Sequence, residues 1–228
     1  MCGIYGIANN SDLYIDKDLV KKSAMLMKHR GPDAYGQWGI NNKIELAHLR
    51  LSIIDLTNNS NQPFFSDCNN YALVFNGEIF NYIEIRNELK KRGYIFKSCS
   101  DTEVLIQSYI EYGEECVHKF NGDWSFAIYD RKKEKLFCSR DRFGVKPFNY
   151  ACINNQFVFS SEIKSIIKYF PELKKPNYNV ISNFCKNSIG AQIEDTWFEN
   201  VKRLLPGHNL IFKDGKMTLT KCKQSSDI

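Results

Sequence analysis

The sequence predicts an α+β fold, and three observations carry that expectation. Seven short apolar runs have the length and composition of strands: residues 4–8, 44–49, 71–75, 124–130, 135–139, 147–153 and 157–160. These runs fall into antiparallel-looking groups, and hairpin connections are legible at residues 153–157 and at Lys213-Asp214-Gly215-Lys216. Helix-like runs gather between the groups of strands, so more than one sheet layer is expected. With 228 residues, 43% of them hydrophobic, the chain is long enough to bury a sizeable core as one large domain or two small ones.

Taken in order, the strand at 4–8 follows Met1-Cys2-Gly3 and contains Gly6; glycines there let a ligand or another backbone approach closely. Residues 18–28 form an amphipathic helix with Leu19, Ala24 and Met27 near one face. The strand at 44–49 ends on Arg50, and Asn58-Asn59-Ser60-Asn61-Gln62 reads as a loop. The strand at 71–75 meets Asn76-Gly77, locally a strong hairpin signal. A helix over 82–92 stops at Gly93, and one over 102–112 follows Asp101, a good N-cap, and stops at Gly113. The two strand pairs between residues 124 and 160 come next. A helix over 161–169 halts before Pro171, and a weaker one covers 178–186. A last hairpin pairs 209–212 with 217–220. No internal repeat or low-complexity segment appears.

Composition excludes several classes. The net charge is +5, from 31 basic and 26 acidic residues, and the basic residues are scattered rather than gathered into a stripe, which argues against a nucleic-acid partner. No apolar run approaches the roughly 20 residues that span a bilayer, and residues 1–8 lack a signal peptide's basic and apolar regions, so no membrane association is expected. Eight cysteines make no C-x-x-C pair, and the four histidines show no ligand spacing, so no metal site is expected. These features describe a cytoplasmic protein with reduced thiols.

The candidate functional residues each carry two readings. Cys2, once Met1 is removed, bears a thiol and a free α-amine on one residue; an amine with a pKa of about 7.7–8.0 can serve as the base for its own nucleophile. By position alone Cys2 is also an ordinary buried small residue. Asn76 and Gly77 read locally as a turn, or as paired donors of an oxyanion hole. Arg50 suits a carboxylate, or an ion pair with Asp55. Asp101 is an N-cap, or with Glu78 a receiver of an α-ammonium group. Arg30-Gly31-Pro32-Asp33 and the stretch from Arg140 to Pro147 read as rigid charged turns.

The order of these pieces is more specific than any one of them. Met1-Cys2-Gly3-Ile4 is followed by His29-Arg30-Gly31-Pro32-Asp33, Leu49-Arg50-Leu51-Ser52-Ile53-Ile54-Asp55, Phe75-Asn76-Gly77-Glu78 and Ser100-Asp101-Thr102-Glu103. Phe120-Asn121-Gly122-Asp123-Trp124-Ser125, Arg140-Asp141-Arg142-Phe143-Gly144-Val145-Lys146-Pro147 and Ser160-Ser161-Glu162 complete the series. The chain thereby resembles the N-terminal glutaminase domain of glutamine-hydrolysing asparagine synthetases, the class II glutamine amidotransferases, from Met1 to about Gly207. The stretch from Leu49 to Asp55 sets it apart from the glucosamine-phosphate synthases, which typically carry Thr-Arg-Trp-Ala-Thr-His-Gly there.

The resemblance implies a four-layer α-β-β-α Ntn-hydrolase sandwich of two antiparallel sheets between helix layers. It implies Cys2 as nucleophile with its α-amine as base, and Asn76 and Gly77 as the oxyanion hole. It places Arg50 on the glutamine α-carboxylate, lines the pocket with Leu51, Ile53 and Ile54, and sets Glu78 and Asp101 near the substrate α-amine. The expected organisation is an amidotransferase domain over 1–210 and a terminal hairpin with a linker-like tail over 211–228. The family's ATP-binding synthetase domain is expected to lie outside these residues, so ATP and magnesium are expected only there and no cofactor in this chain. Glutamine is the expected substrate, a synthetase domain or subunit the ammonia acceptor, and a homodimer is among the expected assemblies. The rival expectation is a non-catalytic module of the same fold that docks a separate synthetase.

Overall fold

A computed structural model describes residues 1–10, 13–187 and 193–222. Along the chain run β1 (Gly3–Asn9), α1 (Lys17–Met25), β2 (Ala34–Ile40), β3 (Ile44–Arg50), β4 (Phe64–Phe65) and β5 (Tyr71–Ile79). Then follow α2 (Tyr82–Lys91), α3 (Asp101–Tyr112), β6 (Gly122–Asp130), β7 (Lys135–Arg140), β8 (Asn149–Ile153) and β9 (Gln156–Ser160). The remaining elements are α4 (Ile163–Tyr169), α5 (Tyr178–Asn187), β10 (Lys202–Arg203), β11 (His208–Lys213) and β12 (Lys216–Lys221). Residues 223–228, most of the tail read from the sequence, lie outside the described residues.

Among the described residues the strands form two six-stranded sheets, in the orders β10-β8-β9-β1-β3-β2 and β12-β11-β7-β6-β5-β4, and the paired strands run antiparallel. Because side chains alternate across a strand, each sheet has two faces to cover. Ile4, Ile44 and Leu46 of the first sheet meet Ala72, Val74 and Ala127 of the second in the central core. On the outer side of the first sheet, Tyr5, Ile7 and Leu49 lie beneath Val20 and Ala24 of α1 and Ile166 of α4. On the outer side of the second, Leu73, Phe75 and Phe126 lie beneath Ile85 and Leu89 of α2 and Val104 and Leu105 of α3. The result is the α-β-β-α sandwich. Burial on both faces explains why Leu73-Val74-Phe75 reads as an unbroken apolar run instead of alternating.

The structure departs from the sequence reading at three places that shape the site. β5 runs straight through Asn76-Gly77, where the local signal favoured a turn. Its partner β6 supplies a ladder to the end, Gly77 opposite Trp124 and Ile79 opposite Gly122, so pairing overrides the local turn preference. The N-cap of α3 is Ser100, whose hydroxyl accepts from the Thr102 amide at 3.0 Å, and this frees the Asp101 carboxylate from capping. β2 escaped prediction because it is half-buried along its length and interrupted by Gly36 and Gly39, so it shows no alternation. The hairpins at residues 154–155 and 214–215 form as read, with positive φ at both central residues, as tight antiparallel turns require.

Candidate active site

β1, β3 and β5 open onto one end of the sandwich. Gly3 pairs with Leu49, so Cys2 lies beside the end of β3. The Leu51 amide donates to the Cys2 Sγ at 3.4 Å. Arg30 donates from Nε to the Cys2 carbonyl at 2.9 Å, while its Nη1 lies 3.3 Å from Glu162. Gly31 makes that reach possible. A Cβ there would fall 2.2 Å from the Leu49 carbonyl group, so only glycine lets the 30–33 turn press against β3. Arg30 is thus more than part of a rigid turn, and its role was not legible without the fold.

Cys2, Arg50, Leu51, Ile53, Ile54, Asn76, Gly77, Glu78 and Asp101 all line a single cleft with about 560 Å³ of empty volume out to its mouth. Residues from positions 2 to 101 converge there because three strand ends and the start of α3 meet. Ser60, Gln62, Phe75, Thr102 and Lys146 complete the walls and were not singled out from sequence.

β5 contributes two hydrogen-bond donors to the cleft. Asn76 is buried, and its Nδ2 has no hydrogen-bond partner among the described residues. Leaving such a donor unpaired costs about 1–3 kcal/mol, a cost that a bound oxyanion would relieve. Gly77 is placed by alternation. The Phe75 amide bonds the Gln62 side chain at 2.6 Å and its carbonyl faces His48 at 3.0 Å, so Phe75 presents both backbone groups to the edge away from β6. Opposite Gly77, the Trp124 carbonyl accepts from Asp141 at 2.9 Å and so faces away from β5. Backbone groups alternate sides along an antiparallel strand, so the Gly77 N–H shares the open edge with Phe75.

Charge in the cleft is divided. The Arg50 guanidinium is buried and donates to the Thr57 carbonyl at 2.7 Å, the Asn61 Oδ1 at 2.8 Å and the Asp55 carbonyl. These acceptors are neutral, and among the described residues Arg50 forms no ion pair, so the Asp55 ion-pair reading gives way to a backbone contact. Its positive charge remains available to an anion. The Asp55 carboxylate instead binds Thr57 and the Cys99 amide, joining the walls formed by residues 51–57 and 98–101. Those hydrogen bonds, that of the Thr57 hydroxyl first, hold its pKa down at about 2. Asp101 is buried and accepts from the Ile79 amide at 3.1 Å. Burial, opposed by that bond and reinforced by Glu78, pushes its pKa up to about 6. For Cys2, burial raises the thiol, whereas the Leu51 amide, the N-terminal ammonium and Arg50 pull it down and Asp101 pushes it up. The cleft thus brings the buried Arg50 cation and the Asp101 and Glu78 carboxylates together with a thiol and two unpaired donors, a set that fits an α-amino acid zwitterion with a carbonyl in its side chain.

A family model described as the glutamine amidotransferase domain matches residues 1–223. The chain belongs to that family. This amidotransferase domain is 36% identical over 220 residues to asparagine synthetase [glutamine-hydrolyzing] 3 of Bacillus subtilis, covering 94% of this chain and 35% of the relative. It is also 36% identical over 241 residues to a putative asparagine synthetase [glutamine-hydrolyzing] 2 of Methanocaldococcus jannaschii, covering 97% and 46% respectively. The amidotransferase domain therefore spans less than half the length of these relatives. Among solved structures, the glutamine phosphoribosylpyrophosphate amidotransferase of B. subtilis superposes with a TM-score of 0.74 at 18% identity, over 98% of this chain and 50% of that one. That likeness shows the Ntn-hydrolase fold. The family shown for the chain is the glutamine amidotransferase domain, and its relatives include asparagine synthetases. Among the described residues no helix is long and apolar enough to cross a membrane, and no group of three or more His, Cys, Asp or Glu could hold a metal ion.

Proposed function

We propose that this domain hydrolyses the side-chain amide of glutamine to glutamate and ammonia, with Cys2 as nucleophile, and that the ammonia is consumed by an acceptor site of the asparagine-synthetase type. The observation that carries the reading is the unpartnered Nδ2 of the buried Asn76 in the same cleft as the Cys2 thiol. Glutamine binds with its α-carboxylate on Arg50 and its α-ammonium toward Asp101 and Glu78, while Leu51, Ile53 and Ile54 line its path.

With Met1 removed, the Cys2 amine takes the thiol proton and the thiolate attacks the amide carbon. Asn76 Nδ2 and the Gly77 N–H receive the developing oxyanion. The carbon–nitrogen bond breaks as the amine returns its proton to the leaving nitrogen, which departs as ammonia. Water then attacks the thioester, giving up a proton to the amine, and glutamate and the free thiol are restored. No group beyond this chain and water enters the hydrolysis. We assign ATP and magnesium to the acceptor chemistry, outside the residues of this chain.

Met1 supports the rival reading of a non-catalytic docking module in one circumstance. It lines the cleft, and while it is attached the Cys2 nitrogen is an amide that cannot act as a base. Intact mass and a glutaminase assay of the same sample separate the two readings. Protein lacking Met1 should release ammonia from glutamine, and Cys2→Ala should not; turnover by Cys2→Ala at the native rate would sink the proposal.

A further inference from the structure

Behind the cleft, a single side chain ties β3 of one sheet to β5 of the other. His48 is fully buried, and its Nε2 lies 3.0 Å from the Phe75 carbonyl oxygen. A carbonyl only accepts, so Nε2 bears the proton. Burial lowers the imidazole pKa to about 3, the Phe75 bond opposing and Arg50 adding to the shift, so the ring is neutral and in one tautomer. The Phe75 amide is held in turn by Gln62, at 2.6 Å. These two side chains fasten the edge of β5 where no strand does: β4 pairs only with Ala72 and Leu73. The next residue to present its backbone to that edge is Gly77, with Asn76 between the two.

We propose that His48 is a positioning residue of the oxyanion hole: its Nε2–H holds the Phe75 carbonyl from the opposite sheet, and that fixed peptide sets the aim of the Asn76 amide and the Gly77 N–H. The inference rests on reading the cleft as a glutaminase site. The Phe75 carbonyl and the Asn76 N–H belong to one planar peptide group, so a tilt at one moves the other. The ring has no other polar tie, since Nδ1 has no hydrogen-bond partner among the described residues. His48 also pairs with Ile4, two residues from Cys2, so nucleophile and oxyanion donors are referred to the same segment of β3.

The test is steady-state glutamine hydrolysis by Met1-processed protein carrying His48→Leu, His48→Gln, Asn76→Ala, or His48→Leu with Asn76→Ala. His48→Leu should lower kcat on the order of tenfold, a fraction of the loss for deleting a donor outright, with KM within about threefold of native. His48→Gln, which retains an N–H at a similar reach, should recover most of the rate. In the Asn76→Ala background, His48→Leu should cost less than about threefold more, because both changes act on one hole. Losses that multiply in full, or a rise in KM at constant kcat, would overturn the inference alone. Absence of glutaminase activity in the processed native protein would overturn it together with the functional reading. Nitrogen-15 NMR of the native protein gives an answer even where His48→Leu does not fold. The His48 ring should remain the neutral Nε2–H tautomer from about pH 5 to 8, and an Nδ1–H tautomer or an imidazolium there would refute the proposal.

Discussion

Arg30 donates from Nε to the carbonyl oxygen of Cys2 at 2.9 Å, so a side chain 28 residues away holds the backbone of the proposed nucleophile. Glu162 anchors that guanidinium from the start of α4 and also contacts His29 at 2.8 Å. Arg30→Ala removes a charged donor, an interaction of about 1.5–3 kcal/mol. The expected outcome is a fall in kcat of roughly 10–100-fold, with the melting temperature lowered by several degrees. Native kcat in a folded Arg30→Ala protein would show that Cys2 is placed by its strand alone.

Asn76→Ala deletes a buried donor that has no hydrogen-bond partner among the described residues. Stability should hold or rise slightly, since an unsatisfied group is removed. Glutaminase kcat should drop by about 10²–10³. Thermal melting and kinetics on the same preparation check both halves of this expectation.

Among the described residues Arg50 donates to neutral oxygens, which leaves its charge to be met by a bound carboxylate. Arg50→Met should raise KM for glutamine about a hundredfold or more, in line with 2–5 kcal/mol for a buried charge contact, and affect kcat less. A glutamine analogue lacking the α-carboxylate should lose discrimination between native and variant protein.

Burial holds the pKa of Asp101 up at about 6. A carboxyl whose folded pKa is raised holds its proton more tightly in the folded state. Its contribution to stability is therefore greatest below its usual 3.8, declines as pH rises to about 6, and is constant above that. Binding of an α-ammonium needs the ionised form, so KM should rise as pH falls through about 6. Asp101→Asn should abolish that limb and make the ligand-free fold more stable at pH 7, which kinetics and melting across pH 4.5–8 will show.

Gly31 sits where a Cβ would meet the Leu49 carbonyl at 2.2 Å, and a backbone group inside a paired strand cannot step aside. Gly31→Ala should destabilise by roughly 1–3 kcal/mol, as overpacking does. Displacing Arg30 from Cys2, it should also lower kcat. Denaturant unfolding with native stability would show that the turn can move.

Much of the architecture was legible because both sheets carry apolar runs bounded by turn residues. The elements that escaped lack such a signature: β2 is half-buried throughout, and β4 and β10 are two residues each. At the site, all nine candidate residues came from ordered motifs and all nine share one cleft. Arg30, His48 and Gln62 were not legible as parts of it. Each acts through one hydrogen bond to the backbone of a remote strand, and no local pattern marks such a bond.

The sequence by itself determined the class of fold and, through the order of its motifs, the family and the identity of the cleft residues. Only the tertiary structure decided between their rival readings. Local preference made Asn76-Gly77 a turn and Asp101 a helix cap. Pairing of β6 along the whole of β5 extended the strand instead, and Ser100 took the cap, which leaves the Asn76 amide and the Asp101 carboxylate free to line the cleft. The physical reason is that local propensities are worth about 1 kcal/mol per site, whereas a continuous ladder within a sheet buried on both faces sums many such contributions and prevails.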